Sequence, residues 1–153
     1  MLVSLFLVLA AIWQPADAKI CQHGFVKYYN SCYWFSPKAM VATWAEAELY
    51  CNTMNSYLVI ITSAFEDNFI RGHLRQKAQN FVFWIGANDL QSEGHVQWMS
   101  KGSPKDLNYT NWYPGQPDNA GGVEHCIEVR KEFGFRWNDW QCFHHAGFIC
   151  EQF

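Results

Sequence analysis

Five side chains with oxygen donors occur close together in the last third of the chain, and their types suit one kind of metal ion. They are Gln116, Asp118, Glu124, Asn138 and Asp139. Carboxylate and amide oxygens are the ligands that Ca²⁺ prefers, at about six to eight oxygens per ion. Three of the five side chains are acidic, so together they would neutralise the ion and leave one negative charge. Because such side chains are also common in solvated loops, their chemistry alone leaves an ordinary polar loop open as the alternative.

Two helices are predicted upstream of this stretch from their capping signals. Thr43, with Glu46 three residues later, has the spacing of a capping box, and Ser63 with Glu66 repeats it. Apolar residues at helical spacing give each segment one face to bury. They are Trp44, Ala47, Tyr50 and Cys51 in the first helix, and Phe65, Phe69, Ile70 and Leu74 in the second.

Short aromatic and β-branched runs predict strands on both sides of the helices. The runs are 25–28, 31–35, 57–61, 81–85, 124–129, 135–138 and 146–151, and Gly86 is the predicted end of the fourth. Between Asn88 and Gly122 the chain is rich in Gly, Pro, Asn, Asp and Ser, which predicts a long, mostly irregular functional region. Strands and helices followed by loops and strands indicate an α+β fold.

Composition narrows the class of protein. The chain has 153 residues, which favours one domain, and its 50% hydrophobic content argues against disorder. The net charge is −3 and no basic stripe is present, which excludes a nucleic-acid-binding surface. Aromatic residues make up 18% of the chain, and we interpret most of these rings as core residues rather than ligand contacts.

The first 18 residues have the features of a secretory signal peptide. Residues 2–12 are apolar apart from Ser4, and Ala16-Asp17-Ala18 has the small-x-small form of a cleavage site, although no positive charge precedes the apolar run. This run is too short to span a bilayer, which needs about 20 residues. We therefore expect a secreted mature chain of residues 19–153 that does not insert into a membrane.

Cysteine usage agrees with export. The six cysteines are Cys21, Cys32, Cys51, Cys126, Cys142 and Cys150. An even number of cysteines in an exported chain predicts a disulfide framework, but spacing alone does not select one pairing. Cys126 follows Glu124 by two residues and Cys142 follows Asp139 by three, so disulfides here would hold the oxygen donors still.

Three motifs in register with the cysteines resemble the C-type lectin-like domain. They are Trp84-Ile85-Gly86, Gln116-Pro117-Asp118 and Trp137-Asn138-Asp139, and the resemblance extends from Cys21 to Cys150. It implies a fold with two helices, small antiparallel sheets, a long calcium-binding loop region and three disulfides. The implied pairs are Cys21–Cys32, Cys51–Cys150 and Cys126–Cys142. The resemblance also implies a cis peptide bond before Pro117.

The resemblance further implies calcium-dependent sugar binding. In the family, side chains matching the five oxygen donors hold one Ca²⁺, and two neighbouring sugar hydroxyls complete its coordination. The Gln-Pro-Asp form at 116–118 is associated with galactose or N-acetylgalactosamine, so the implied partners are glycans or glycoproteins with such terminal sugars. Strong galactose binders add a Trp shortly afterwards, but residues 119–123 contain no aromatic residue. We expect monovalent binding on the order of millimolar, with avidity from a homo-oligomer or clustered glycans.

Two further features accompany the resemblance. Asp89 and Glu93 match two acids of a second, structural calcium site that some members have, whereas the other two acidic positions are Asn119 and His125 here. We therefore expect the second calcium site to be weakened or absent. Asn108 begins an N-glycosylation sequon, Asn-Tyr-Thr, in a predicted loop.

Two other classes of function compete with sugar binding. The first is a structural protein that uses the same fold to bind a mineral, ice or protein surface without sugar, which the retention of all five donors disfavours. The second is an enzyme, which we do not expect because His-Glu-x-x-His, Gly-x-Ser-x-Gly and Ser-His-Asp signatures are all missing from the sequence. A calcium ion held by five side chains and a sugar diol also leaves little room for an activated water.

Overall fold

The computed structural model describes residues 20–77, 81–100 and 103–152. The predicted signal peptide, residues 1–18, lies outside the described residues. Within them, neither helix is both long enough and apolar enough to cross a membrane.

The described residues form an α+β domain, which confirms the predicted class. Its two α-helices are α1 (Trp44–Thr53) and α2 (Ala64–Lys77). Its strands are β1 (Val26–Tyr28), β2 (Ser31–Phe35), β3 (Tyr57–Leu58), β4 (Val82–Asn88), β5 (Gln97–Ser100), β6 (Ser103–Asp106), β7 (Cys126–Arg130), β8 (Arg136–Trp140) and β9 (Gly147–Gln152). Two short 3₁₀ helices cover Ala120–Gly122 and Lys131–Phe133.

The strands form one hydrogen-bonded network whose pairs are antiparallel with one exception. β2 pairs with β1 and β9, and β9 also pairs with β3, all antiparallel. β4 runs parallel to β9, with Phe83 opposite Gly147. β4 also pairs antiparallel with β5 and with β7, and β7 pairs antiparallel with β8. The parallel pair therefore joins β1, β2, β3 and β9 to the other strands, among which β8 carries Asn138 and Asp139.

Helix α1 begins as its sequence predicts. Thr43 Oγ1 accepts a hydrogen bond from the Glu46 N–H (3.4 Å), and the Thr43 N–H donates to Glu46 Oε2 (2.9 Å), which completes the capping box. The buried face includes Trp44, Ala47 and Cys51. The Trp44 indole N–H donates to the Ile85 carbonyl (2.9 Å), so this face is fixed to β4.

Helix α2 differs from its prediction in its cap and its buried face. Ser63 Oγ accepts from the Glu66 N–H (3.2 Å), but the Glu66 carboxylate accepts from the Thr62 N–H (2.8 Å) instead of closing a box with Ser63. Phe65 is 75% exposed, so its predicted place on the buried face is wrong. Glu66 and Asp67 are buried beside Ile70 and Leu74, because both carboxylates have specific donors there.

Strand β4 extends past Gly86, where the sequence predicted its end. A Cβ at Gly86 would lie 2.5 Å from the Leu58 carbonyl oxygen, and the Gly86 N–H donates to the Val59 carbonyl (2.9 Å). The glycine therefore permits a close approach between β4 and the segment after β3 and does not end the strand. That segment, predicted as a strand over 57–61, has strand pairing only at Tyr57–Leu58.

The region 88–122 contains more regular structure than its composition predicted. β5 and β6 form an antiparallel hairpin in which Trp98 lies opposite Lys105. Trp98 is buried and packs edge-on against Trp137, at 5.4 Å between ring centroids. Burial of this ring stabilises a strand that the surrounding polar residues do not indicate. The late strands β7, β8 and β9 each begin one or two residues later than predicted.

All three disulfide pairs implied by the resemblance are present. Cys21 pairs with Cys32, Cys51 with Cys150 and Cys126 with Cys142. The second pair joins α1 to β9 across 99 residues, and the third joins the start of β7 to the segment after β8. The third bond therefore ties together the two segments that supply Glu124 and Asp139.

Candidate functional site

The loop that carries Gln116 is fixed to β8 by its backbone. The Tyr113 N–H donates to the Trp137 carbonyl (2.8 Å), and the Trp137 N–H donates to the Asn111 carbonyl (2.9 Å). A turn then follows, in which the Gln116 N–H donates to the Tyr113 carbonyl (2.9 Å) and the Gln116–Pro117 peptide bond is cis as expected. These contacts bring the Gln-Pro-Asp motif beside the Trp-Asn-Asp motif of β8.

Asp139 organises the turn that follows the motif. Its carboxylate accepts from the Asp118 N–H (3.2 Å) and the Asn119 N–H (2.7 Å). Asn119 adopts a left-handed backbone conformation (φ 42°), and its side-chain oxygen accepts from the Glu124 N–H (3.0 Å). The Ala120 N–H donates to Glu124 Oε2 (3.2 Å). The turn therefore folds back so that Glu124 lies beside Asp118 and Asp139.

Three of the five predicted donors form one carboxylate cluster. Oxygen atoms of Asp118, Glu124 and Asp139 all lie within 4.8 Å of one another. Loss of hydration on burial raises the pKa of Glu124, and the negative charges of Asp139 and Asp118 raise it further. Among the ion pairs between described residues, none joins these three carboxylates to a lysine or arginine. Their mutual repulsion is of the kind that a bound cation relieves.

The two amide donors are near members of this cluster in sequence, with Gln116 two residues before Asp118 and Asn138 next to Asp139. Gln116 Oε1 is buried and has no hydrogen-bond partner in the described part of the chain. A buried amide oxygen without a partner is costly, and a cation would satisfy it. Asn138 donates its amide N–H groups to Glu128 Oε1 (2.8 Å) and the Asp139 carbonyl (2.6 Å), which leaves its amide oxygen as the remaining donor atom. The residues present therefore fit a calcium ion.

Glu128 is a site residue that the sequence analysis missed. It lies opposite Asn138 in the β7–β8 pair, is fully buried, and accepts from the Arg130 side-chain Nε–H (2.7 Å) as well as from Asn138. Burial raises its pKa to about 7. Its role is to hold the Asn138 amide in one orientation. A charged residue within the predicted strand 124–129 was the available signal, but only the strand register identifies its partner.

A second group of side chains with metal-ligand chemistry is formed by Asp89 after β4, Glu93 in the same loop and His125 before β7. His125 Nδ1 is 3.1 Å from Asp89 Oδ1 and 3.1 Å from Glu93 Oε2. The backbone places these residues, because the Asp89 N–H donates to the His125 carbonyl (3.0 Å). Asn119 is the fourth position of the second calcium site considered in the sequence analysis. Its side-chain oxygen does not join this group but accepts a hydrogen bond from the Glu124 N–H.

The predicted sequon lies at the surface. Asn108 is exposed, in the loop between β6 and the turn that carries Gln116. The position is therefore accessible to a modifying enzyme, and its glycosylation stays a prediction.

Comparisons with known proteins identify the family to which this fold belongs. The family model described as the lectin C-type domain matches residues 41–152. Perlucin from Haliotis laevigata is 47% identical over 133 residues, which cover 86% of this chain and 83% of perlucin. Human asialoglycoprotein receptor 2 is 39% identical over 137 residues, which cover 86% of this chain but only 40% of that longer protein.

Solved structures share the fold over nearly their whole length. The carbohydrate-recognition domain of the mouse scavenger receptor C-type lectin superposes with a TM-score of 0.77 at 31% identity, covering 86% of this chain and 97% of that domain. Human lithostathine superposes with a TM-score of 0.78 at 28% identity, covering 94% and 97%. The chain therefore belongs to the C-type lectin domain family, a group of non-enzymatic carbohydrate-binding proteins.

Proposed function

We propose that this domain binds galactose-type sugars through a calcium ion held by Gln116, Asp118, Glu124, Asn138 and Asp139. The observation that carries the proposal is the convergence of the Asp118, Glu124 and Asp139 carboxylates; the buried Gln116 amide oxygen, which has no partner among the described residues, supports it. The bound ion would supply coordination positions for two neighbouring sugar hydroxyls. The side chains would supply the matching hydrogen bonds.

The order of acids and amides supports the choice of sugar. A carboxylate only accepts hydrogen bonds, whereas an amide both donates and accepts. Gln116 therefore offers the site a hydrogen-bond donor, and Asp118 offers it an acceptor. Family members with this order are associated with galactose-type sugars. The name of the relative human asialoglycoprotein receptor 2 describes a receptor for glycoproteins, which supports a glycan or glycoprotein partner for this chain.

The surface after the motif supports weak binding. Residues 119–123 contain no aromatic ring to pack on the apolar face of galactose, and the large apolar side chain among them is Val123, which is 46% exposed. A valine covers less sugar surface than a tryptophan, so the calcium contacts must provide most of the affinity. Homo-oligomers or clustered glycans would then raise the avidity.

A glycan array probed with and without calcium tests the proposal. We expect binding to terminal galactose or N-acetylgalactosamine in calcium and its loss in EGTA. An array without signal, from protein that binds calcium by calorimetry, would contradict sugar binding and favour a surface-binding role. Protein that is folded but takes up no calcium would contradict the site itself.

Selectivity has a sharper test in paired substitutions. Gln116→Glu with Asp118→Asn exchanges the acid and the amide without changing net charge, and we expect preference to move toward mannose-type sugars. Gln97 and Asp106 form a similar amide–carboxylate pair outside the site, with Gln97 Nε2 donating to Asp106 Oδ1 (2.8 Å). Gln97→Glu with Asp106→Asn is therefore the matched control and should leave the preference unchanged.

We also propose that the chain is secreted after cleavage at Ala18. Six paired cysteines within the described residues support an oxidising destination, where such bonds persist. Amino-terminal sequencing of protein recovered from the medium of expressing cells should begin at Lys19. Retention of residues 2–12 in the recovered protein would contradict this.

A further inference from the structure

His125 is held between two carboxylates that come from a different part of the chain. Its Nδ1 atom is 3.1 Å from an oxygen of Asp89, which is 7% exposed, and 3.1 Å from an oxygen of Glu93. A neutral imidazole nitrogen carries at most one proton, so Nδ1 can donate a good hydrogen bond to only one of these oxygens at a time. The three donor atoms lie within 4.8 Å of one another.

Other hydrogen bonds hold Asp89 in place and leave Nδ1 of His125 free to face the two carboxylates. The Gly94 N–H donates to Asp89 Oδ2 (2.8 Å), which leaves Oδ1 directed at His125. The neighbouring histidine, His95, pairs with Asp106 (2.9 Å) instead. Among the described residues, no lysine or arginine forms an ion pair with Asp89 or Glu93. Within the described residues, the His125 imidazole is therefore the only basic side chain paired with Asp89 or Glu93.

The donor set selects the class of metal. Ca²⁺ takes about six to eight oxygen ligands, whereas this group offers two carboxylates and one nitrogen. Imidazole together with carboxylate is typical of Zn²⁺ and similar transition metals. Ligands at about 2.1 Å from a tetrahedral zinc ion lie about 3.4 Å apart, which is close to the 3.1 Å between His125 Nδ1 and each carboxylate oxygen.

We propose that Asp89, Glu93 and His125 form a Zn²⁺ site, separate from the calcium site and selective for transition metals over calcium. Three protein ligands leave the fourth tetrahedral position to water. Glu124, a calcium ligand of the proposed sugar site, is the residue before His125, so the two ions would be held by adjacent residues of one segment. The zinc site does not depend on whether the domain binds sugar.

Zinc titration of the untagged protein in saturating calcium tests the proposal. Calcium fills the other site first, and competition with a chromophoric chelator then measures the zinc affinity. We expect one zinc ion per chain, retained against the calcium excess. We also expect Co²⁺, used as a spectroscopic replacement, to give the intense visible absorption of a tetrahedral site.

Substitutions of His125 identify the ligand and the selectivity. His125→Ala should weaken zinc binding at least tenfold, whereas His145→Ala, at an exposed histidine elsewhere, should not change it. His125→Asp should weaken zinc binding by a similar factor and add a second calcium ion per chain. Circular dichroism would establish that each variant is folded.

Three results would overturn the proposal. They are no zinc uptake by folded protein, displacement of zinc by millimolar calcium, and equal zinc affinity in the parent and in folded His125→Ala. Zinc uptake by a protein that fails the glycan array would uphold this site and count only against the sugar-binding proposal.

Discussion

Replacing Gly86 with alanine tests whether the close approach between β4 and the segment after β3 is required for folding. The new Cβ would lie 2.5 Å from the Leu58 carbonyl oxygen and 3.0 Å from the Val59 carbonyl oxygen. Ordinary contacts begin at 3.4 Å, so the two backbones must separate by 3.4 − 2.5 = 0.9 Å. Both oxygens belong to buried backbone and cannot rotate away as a flexible side chain would.

The expected cost follows from three contributions. Overpacking a close contact costs about 1–3 kcal/mol. Separation also weakens the hydrogen bond from the Gly86 N–H to the Val59 carbonyl (2.9 Å), worth about 1 kcal/mol. The lower entropy of alanine in the unfolded chain offsets about 0.7 kcal/mol. We therefore expect the free energy of unfolding to fall by about 1–3 kcal/mol.

Gly72 provides a control with the same chemical change. It lies inside α2, and a Cβ there would meet nothing within 4 Å. Gly72→Ala should therefore raise the free energy of unfolding by up to about 1 kcal/mol through helix propensity. Urea unfolding followed by tryptophan fluorescence measures both, with midpoints compared at equal m-values. A loss below about 0.5 kcal/mol for Gly86→Ala, or equal shifts for both variants, would refute the steric argument.

Three other outcomes are expected. Calcium at about 100 times its dissociation constant should raise the free energy of unfolding by about 2.7 kcal/mol relative to EGTA, and equal urea midpoints would contradict the calcium site. Asp67→Ala should cost about 2–4 kcal/mol in urea unfolding, because the Trp137 indole N–H and the Asn111 amide lose their buried acceptor. The exposed Asp106→Ala should cost far less. Burial lowers the pKa of His73 in the folded protein below its value in the unfolded chain. The neutral imidazole therefore stabilises the fold at pH values above the unfolded pKa, and this stability is lost as the pH falls toward the folded pKa. His73→Phe should therefore gain stability relative to the parent between pH 7 and pH 5, and a constant difference would refute this.

Features with short-range causes could be predicted well from sequence. The capping box of α1 joins Thr43 to Glu46, three residues apart, and its structure agrees with the prediction. The start of α2 was also predicted, but the exposure of Phe65 was not, because apolar spacing does not reveal that buried carboxylates occupy the inner face. The β5–β6 hairpin was missed for a related reason. Its polar residues gave no strand pattern, and its stability comes from packing of Trp98 on a distant strand.

The sequence by itself determined the chemical inventory of this protein: the six cysteines, the five oxygen donors and the motifs that identify the family. Only the tertiary structure decided which of these residues meet. Asp118 and Asp139 are 21 residues apart, and His125 and Asp89 are 36 apart, yet each pair is in hydrogen-bond contact. Such contacts depend on the register of paired strands and on the path of the loops between them. The strand register and the loop paths are set by the packing of the whole domain, whereas sequence patterns report mainly on residues a few positions apart along the chain.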